Sequence, residues 1–134
     1  MADSLAAYIR QDMECEGLLE CLHGLGGLDK ECYRVMVDSE EPLTVDSIAA
    51  EVDRERSTVY RSIQRLLQAG LVQKEQINYD DGGYYHVYHP TDPGEVTDEM
   101  QRMLNEWYAT MGQLIQAFED KYGDRVGEPQ TIDS

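Results

Sequence analysis

A run of arginine and hydroxyl side chains stands out in the middle of the chain, within a segment that has the pattern of an amphipathic helix. Over residues 53–71, Val59, Ile63, Leu66 and Leu67 recur at the helical period and form one apolar stripe. The opposite face contains no carboxylate. It consists of Arg54, Ser57, Thr58, Arg61, Gln64, Arg65 and Gln68. Guanidinium and hydroxyl groups donate hydrogen bonds to phosphates and base edges, so we expect a helix that reads DNA.

The charge of this segment is opposite to that of the rest of the chain. The 134 residues include 27 Asp and Glu against 11 Lys and Arg, a formal net charge of −16. Between Arg54 and Lys74 there are five basic residues and one acid, so this window carries +4 and the remainder −20. A diffuse acidic excess with few lysines resembles proteins of extreme halophiles. A disordered acidic chain is the alternative, but 41% of the residues are hydrophobic and they recur periodically.

The neighbouring segments predict the elements that would position such a helix. Residues 29–38 form a helix with Asp29 as its N-cap, and Thr44 caps a second helix at 45–52. Asp53 is an N-cap candidate for the basic helix that follows. Two short helices joined by a tight turn are the helix-turn-helix arrangement.

A β-hairpin is predicted directly after the basic helix. Gly70 ends that helix as a C-cap, and two strands at 71–79 and 84–89 flank a turn, Asp80-Asp81-Gly82-Gly83. This hairpin would be the wing of a winged helix-turn-helix. Its tyrosines either contact DNA or pack the hairpin onto the core, and both alternatives remain open.

The two ends of the chain predict further helices. Residues 3–13 and 17–23 indicate short amphipathic helices, which together form a packing arm. A long helix over 95–122 carries a narrow apolar seam at alternating spacings of three and four, typical of a coiled coil. The seam consists of Met100, Leu104, Trp107, Met111, Leu114 and Phe118. Dimerisation is the favoured interpretation, and folding back onto the same chain is the alternative.

The cysteines admit three interpretations. Cys15, Cys21 and Cys32 lie within 18 residues, and an odd count without a secretory signal argues against a disulfide framework. They are buried structural residues, or redox-active thiols that alter packing, or, with His23, ligands for zinc. The spacing is not a usual zinc pattern, so we expect no metal site.

Several functional classes lack support in the sequence. The three histidines form no recognisable constellation with a nucleophile, and there is no phosphate loop, so we expect no catalytic residues, no enzyme activity and no cofactor. No run approaches the roughly 20 apolar residues that a membrane span needs, and no signal peptide is evident. We therefore expect a cytoplasmic protein without membrane contact, and no small-molecule ligand is evident.

The central motifs resemble those of archaeal, haloarchaeal-type TrmB-like winged-helix transcription regulators. The similarity covers about residues 18–120, and it is carried by Leu43–Ala49, the Arg-Ser-Thr-Val-Tyr-Arg run at 56–61, Gly70-Leu71-Val72 and Gly82–Tyr88. MarR-like and PadR-like proteins share parts of these motifs. Larger TrmB relatives carry a C-terminal sugar-binding domain, for which we expect no room here.

Together these patterns predict a mainly α fold with a small β-hairpin wing. The expected domains are an N-terminal helical arm at 1–27, a winged helix-turn-helix at 28–92, a dimerisation helix at 93–122 and a disordered tail at 123–134. The predicted function is a homodimeric regulator that binds double-stranded DNA, with a response to oxidants through its thiols as one interpretation of the cysteines. The predicted DNA contacts are Arg54, Arg56, Ser57, Thr58, Tyr60, Arg61, Gln64, Arg65 and Lys74. A winged helix that binds only proteins, through its acidic surface, is the alternative.

Overall fold

The computed structural model describes Cys15 and residues 17–126, and the predicted helix at 3–13 lies outside these residues. Within these described residues, five helices and two strands follow one another. They are α1 (Gly17–His23), α2 (Gly27–Asp38), α3 (Val45–Val52), α4 (Arg56–Gln68), β1 (Val72–Asn78), β2 (Tyr84–Pro90) and α5 (Pro93–Val126). This mainly α architecture with a β-hairpin confirms the predicted winged-helix fold. The chain divides into two compact units, residues 1–96 and 97–134.

The core of the first unit lies where α2, α3 and α4 pack against one another and against the hairpin. Its fully buried apolar side chains include Met36, Ile48, Val59, Ile63 and Leu66. These come from three helices that each have one apolar stripe, so burying the stripes together removes most of their apolar surface from water. The packing places α4 with its opposite face outward.

The hairpin is held to the helices by a third, short segment of extended chain. β1 and β2 pair antiparallel, from Val72 opposite Pro90 to Asn78 opposite Tyr84. Leu43 then pairs with Tyr88: the Leu43 N–H donates to the Tyr88 carbonyl at 3.0 Å, and the Tyr88 N–H donates to the Leu43 carbonyl at 2.8 Å. This bridge joins the wing to the segment immediately before α3.

Two of the predicted helix caps are wrong. α2 begins at Gly27 with Gly26 as its N-cap, and the Asp29 carboxylate, three residues later, accepts from the Gly26 N–H at 3.1 Å. Asp53 is not the N-cap of α4: it ends α3 in the left-handed conformation, with φ 56°. An Asp tolerates that conformation better than most residues. As a result, α4 begins only at Arg56, after Glu55, and Arg54 lies in the turn and not on the helix.

Other local predictions hold. The Thr44 hydroxyl accepts from the Ser47 N–H at 3.1 Å and caps α3 as expected. After α4, Ala69 is the formal C-cap and Gly70 follows with φ +78°. The Leu71 N–H donates to the Leu66 carbonyl at 3.0 Å, which closes a Schellman motif. Gly70 therefore ends the helix by supplying the left-handed residue that this motif requires.

The last helix is longer than predicted. The Asp92 carboxylate accepts from the N–H groups of Gly94 and Glu95, at 3.0 and 3.3 Å, and Pro93 occupies the first helical position. The helix continues to Val126, so residues 123–126, expected in a disordered tail, are helical. Residues 127–134 lie outside the described part of the chain. No helix within the described ranges is long and apolar enough to cross a membrane.

Candidate nucleic-acid interface

The orientation of α4 is decided by four buried side chains. Val59, Ile63 and Leu66 are fully buried, as the apolar stripe predicted, and Ser62 is buried among them. Leu67, predicted for the same stripe, is half-buried. The stripe is thus centred on a line from Val59 through Ile63 to Leu66.

The predicted DNA contacts of α4 lie on the outward side. Ser57, Tyr60, Arg61 and Arg65 are exposed, while Thr58 and Gln64 are half-buried. Arg54 is exposed on the turn before the helix and Arg56 is exposed at its first residue. The helix itself contains no carboxylate, so every charged side chain on its outward surface is positive.

Arg56 forms an ion pair across the helix-turn-helix. Its Nε lies 2.8 Å from the Asp46 Oδ1 on α3, and the two side chains are 65% and 75% exposed. Exposed ion pairs contribute only about 0–1 kcal/mol, because both partners remain well hydrated. Arg56 is thus held in place weakly, and its charge is balanced locally.

Arg65 forms a different kind of pair, with a carboxylate inside the fold. Its Nε and Nη2 donate to the two oxygens of Asp29 at 3.0 and 2.9 Å, and Asp29 is only 3% exposed. Ser62 donates a short hydrogen bond to the same carboxylate. Burial raises the pKa of Asp29, but the hydrogen bonds from Arg65, Ser62 and Gly26 outweigh it and the pKa is lowered.

This cluster changes the interpretation of Arg65. The guanidinium forms an ion pair with Asp29 and thereby joins α4 to the start of α2. Neither Asp29 nor Ser62 was among the candidate site residues. One signal in the sequence could have identified Ser62, because a hydroxyl on the apolar stripe of a helix needs a buried partner.

The wing presents one face that carries Lys74. In the antiparallel register Lys74 lies opposite Tyr88, and Gln76 lies opposite His86. Directly paired residues project to the same face of a sheet, so Lys74 shares its face with Tyr84, His86 and Tyr88. The two aspartates of the turn lie at the tip of the hairpin and are exposed.

A cleft of about 500 Å³ lies between the wing and the N-terminal ends of α3 and α4. Its lining residues are Thr44, Val45, Asp46, Arg56, Tyr60, Tyr79, Tyr84, Tyr85, His86 and Tyr88. Tyr88 is almost fully buried, and this burial raises the pKa of its hydroxyl, which therefore stays protonated. The cleft brings together two predicted contacts, Arg56 and Tyr60, with tyrosines whose grouping the sequence did not show.

The cysteines occupy three different environments. Cys15 is exposed, Cys21 is half-buried and Cys32 is fully buried. Burial raises the pKa of the Cys32 thiol, with a smaller opposing effect from its hydrogen bond with Ser62. A raised pKa lowers the thiolate fraction and with it the reactivity of the group. In the described part of the chain no His, Cys, Asp or Glu cluster could hold a metal ion.

The second unit presents an exposed apolar surface along α5. None of the side chains from Pro93 to Val126 is buried. The predicted seam residues Leu104, Trp107, Met111, Leu114 and Phe118 are between 39% and 68% exposed, and Met100 is half-buried. A neighbouring row that the prediction missed, Tyr108, Ile115 and Tyr122, is also exposed and broadens the apolar surface.

A match to a family sequence model shows the family of the protein. The sequence model described as "Sugar-specific transcriptional regulator TrmB" matches residues 19–94, more than half of the chain. The chain belongs to the TrmB family of transcriptional regulators. This match contains α2–α4 and the wing, and it confirms the predicted resemblance. The protein is thus a transcription regulator of the winged-helix type.

Two uncharacterized proteins of Methanocaldococcus jannaschii are similar to this TrmB-family chain. MJ1503 is 33% identical over 104 residues, which cover 78% of each protein. MJ1082 is 27% identical over 105 residues, covering 78% of this chain and 86% of the relative. Each alignment is longer than the 76 residues of the family match.

Solved structures show the same fold. A possible transcriptional regulator from Methanosarcina mazei Go1 superposes with a TM-score of 0.67 at 23% identity, covering 78% of this chain and 88% of that one. The ST1889 protein from Sulfolobus tokodaii gives 0.54 at 18% identity, covering 72% and 90%. At these identities the likeness concerns architecture.

Proposed function

We propose that this TrmB-family protein is a cytoplasmic, sequence-specific DNA-binding regulator that acts as a homodimer, with α4 in the major groove. The observation that carries the proposal is the outward face of α4, which lacks a carboxylate in a chain of net charge −16. Arg61 is central to this face: it is exposed, and no ion pair in the described chain engages it. An arginine in this position can pair with guanine, which is worth about 1–3 kcal/mol of discrimination.

Homodimerisation is supported by the apolar surface of α5. A row of large side chains on this helix is exposed among the described residues, including Leu114 at 62% and Phe118 at 68%. Soluble proteins seldom leave contiguous apolar surface of this kind in water, and a heptad spacing suits pairing with a second helix. Two copies joined in this way would read half-sites about 34–36 Å apart.

Selection from a random pool of duplex DNA tests this function. The wild-type chain should enrich one motif, and Arg61→Ala should lose at least tenfold in affinity for it, since it removes a base or phosphate contact. Arg102→Ala is the matched control, because Arg102 lies on α5 and is also exposed. Equal binding by wild type and Arg61→Ala, or no enrichment, would favour a winged helix that binds only proteins.

A redox response remains part of the proposal, restricted to the more accessible thiols. Cys15 is exposed and Cys21 half-buried, whereas Cys32 has the environment of a core residue. We propose that hydrogen peroxide joins two of these accessible thiols as a disulfide, within one chain or between two copies: the two thiols lose two electrons and two protons, and the peroxide is reduced to water. Thiol counting after hydrogen peroxide, with Cys15→Ser and Cys21→Ser, tests this; three free thiols and unchanged DNA affinity would contradict it.

Function in concentrated salt is the remaining part of the proposal. A net charge of −16 on 134 residues creates self-repulsion that salt screens. The midpoint of thermal unfolding should therefore rise between 0.1 and about 2 M KCl. A midpoint that is independent of KCl would argue against a halophilic protein.

A further inference from the structure

The cleft beside the wing has an unusual charge balance for a surface next to a DNA-reading helix. Arg56 and Asp46 both line it, and they are paired with each other at 2.8 Å. Besides Arg56, the lining contains one more basic residue, His86. Lys74 shares a face of the hairpin with Tyr88 but is not among the lining residues. The positive charge of Arg56 and the negative charge of Asp46 therefore cancel within the cleft.

What the cleft offers in place of charge is a set of neutral hydrogen-bond donors. Five tyrosines line it, and of these Tyr60, Tyr79 and Tyr84 are exposed, at 43%, 55% and 60%. Glu55, the N-cap of α4, makes no side-chain hydrogen bond to the helix, so the first backbone N–H groups, which begin at the lining residue Arg56, have no side-chain cap. Phenol and amide groups both donate to phosphate oxygens without carrying a charge.

The position of the cleft restricts what could occupy it. Arg56 and Tyr60 belong both to its wall and to the outward side of α4, so a duplex lying against α4 passes directly over it. The strand that borders the major groove on the wing side is then the nearest part of the DNA. Such a strand presents one phosphate per nucleotide to these donors.

We propose that this cleft binds one phosphodiester strand of the operator through uncharged donors, chiefly the hydroxyls of Tyr60 and Tyr84. The inference rests on the proposed DNA binding and adds a specific backbone site to it. Contacts of this type release few counterions, because no cation replaces the ions condensed on the phosphate. An acidic protein can in this way hold a DNA strand at salt concentrations that weaken contacts made by Lys and Arg.

The test measures the affinity of full-chain variants for the selected duplex at several KCl concentrations. The cleft variants each lack a single oxygen atom. Tyr60→Phe and Tyr84→Phe remove only a hydroxyl, and Tyr33→Phe on α2, outside the cleft and outside the apolar surface of α5, is the control. Each cleft variant should weaken binding about fivefold, as for one hydrogen bond, by the same factor at low and at molar KCl. Arg61→Ala, by contrast, should flatten the log–log salt dependence by about 0.9 for each phosphate that the arginine neutralises in the wild-type complex.

A modified duplex connects the effect to a phosphate. Replacing single phosphates at the edge of the site by methylphosphonates should reveal one position at which Tyr84→Phe no longer has any effect. This loss of additivity is expected for two groups in direct contact and not for a structural role of the tyrosine.

The outcomes separate the two proposals. If Tyr60→Phe and Tyr84→Phe bind like wild type while Arg61→Ala fails, the cleft inference is wrong and DNA binding by α4 stands. If the tyrosine effects persist on every modified duplex, the hydroxyls do not contact phosphate and the inference is likewise wrong. If the wild-type chain enriches no duplex, the proposed function fails and the inference fails with it.

Discussion

α4 and α5 carry the same kind of apolar stripe, and the fold treats them in opposite ways. In α4, Ile63 and Leu66 are completely buried, and the helix packs against α2, α3 and β1. In α5, Leu114 and Phe118 are more than half exposed along a helix that buries none of its side chains. The first stripe stabilises a single chain, and the second can contribute only when another surface covers it.

The polar faces of α4 and α5 also differ in charge. α4 has three arginines and no acid between Arg56 and Gln68, whereas α5 mixes both signs along its length. Within α4 itself, Arg65 is committed to a buried carboxylate, and Arg56 to an exposed one. We therefore expect DNA binding to depend on the few donors of α4 that make no ion pair within the described chain.

The largest effect should come from the covered stripe. Leu66→Ala should lower the free energy of unfolding by about 2–5 kcal/mol, because Leu66 is fully buried and its truncation leaves a cavity in the core. Urea unfolding followed by circular dichroism measures this at a fixed protein concentration. A loss below about 1 kcal/mol would show that α4 is not held by this stripe.

Truncating the exposed stripe of α5 should weaken dimerisation and leave the folding of each chain unchanged. Leu114→Ala should raise the dimer dissociation constant by about 10- to 100-fold, or about 1.4–2.8 kcal/mol, because the apolar area buried by both copies shrinks. Sedimentation equilibrium measures the constant, and circular dichroism at high dilution checks that the helices persist. A wild-type chain that is monomeric at every concentration would contradict the dimer.

The buried pair should have a smaller and pH-dependent effect. Asp29→Asn should cost about 1–3 kcal/mol at neutral pH, since it removes the charge that Arg65 and Ser62 bond. The pKa of Asp29 is lowered by folding, so this stabilisation is complete above the unfolded pKa of about 4 and is lost as pH falls through the folded pKa.

Urea titrations of wild type and Asp29→Asn at pH 7 and at progressively lower pH measure that difference. The two stabilities should converge in acid, and a gap that stays constant down to the lowest pH would contradict the role of the ionised carboxylate.

The exposed pair should have the smallest effect on folding. Asp46→Asn should change stability by less than about 1 kcal/mol, because both partners are well hydrated. It should nevertheless strengthen DNA binding at low salt and steepen the log–log salt dependence by about 0.9, since it releases Arg56 to a phosphate. Fluorescence anisotropy at several KCl concentrations measures both, and an unchanged slope would show that Arg56 does not reach the DNA.

The elements that the sequence predicts well are those specified by local pattern. The apolar period of α4, the Thr44 cap, the end of α4 at Gly70 and the hairpin turn depend on residues within a few positions of one another. The misplaced caps failed for a related reason. Asp29 and Asp53 both suit an N-cap, and the choice between capping and another role depends on the packing of the turns.

The candidate site was predictable only in part. The exposed positions of Ser57 and Arg61 follow from helical period alone. The commitment of Arg65 does not, because its partner Asp29 lies 36 residues away in the sequence. The cleft likewise joins Tyr60 to Tyr84 and Tyr88, which belong to different elements.

The sequence alone determined the family, the order of the elements, and the concentration of positive charge on one helix of an acidic chain. These properties reside in local composition and period, which each segment carries by itself. The tertiary structure decided which arginines are paired, that Cys32 is a core residue, and that tyrosines of the wing and α4 share a cleft. Those outcomes depend on contacts between distant segments, and such contacts exist only once the chain has folded.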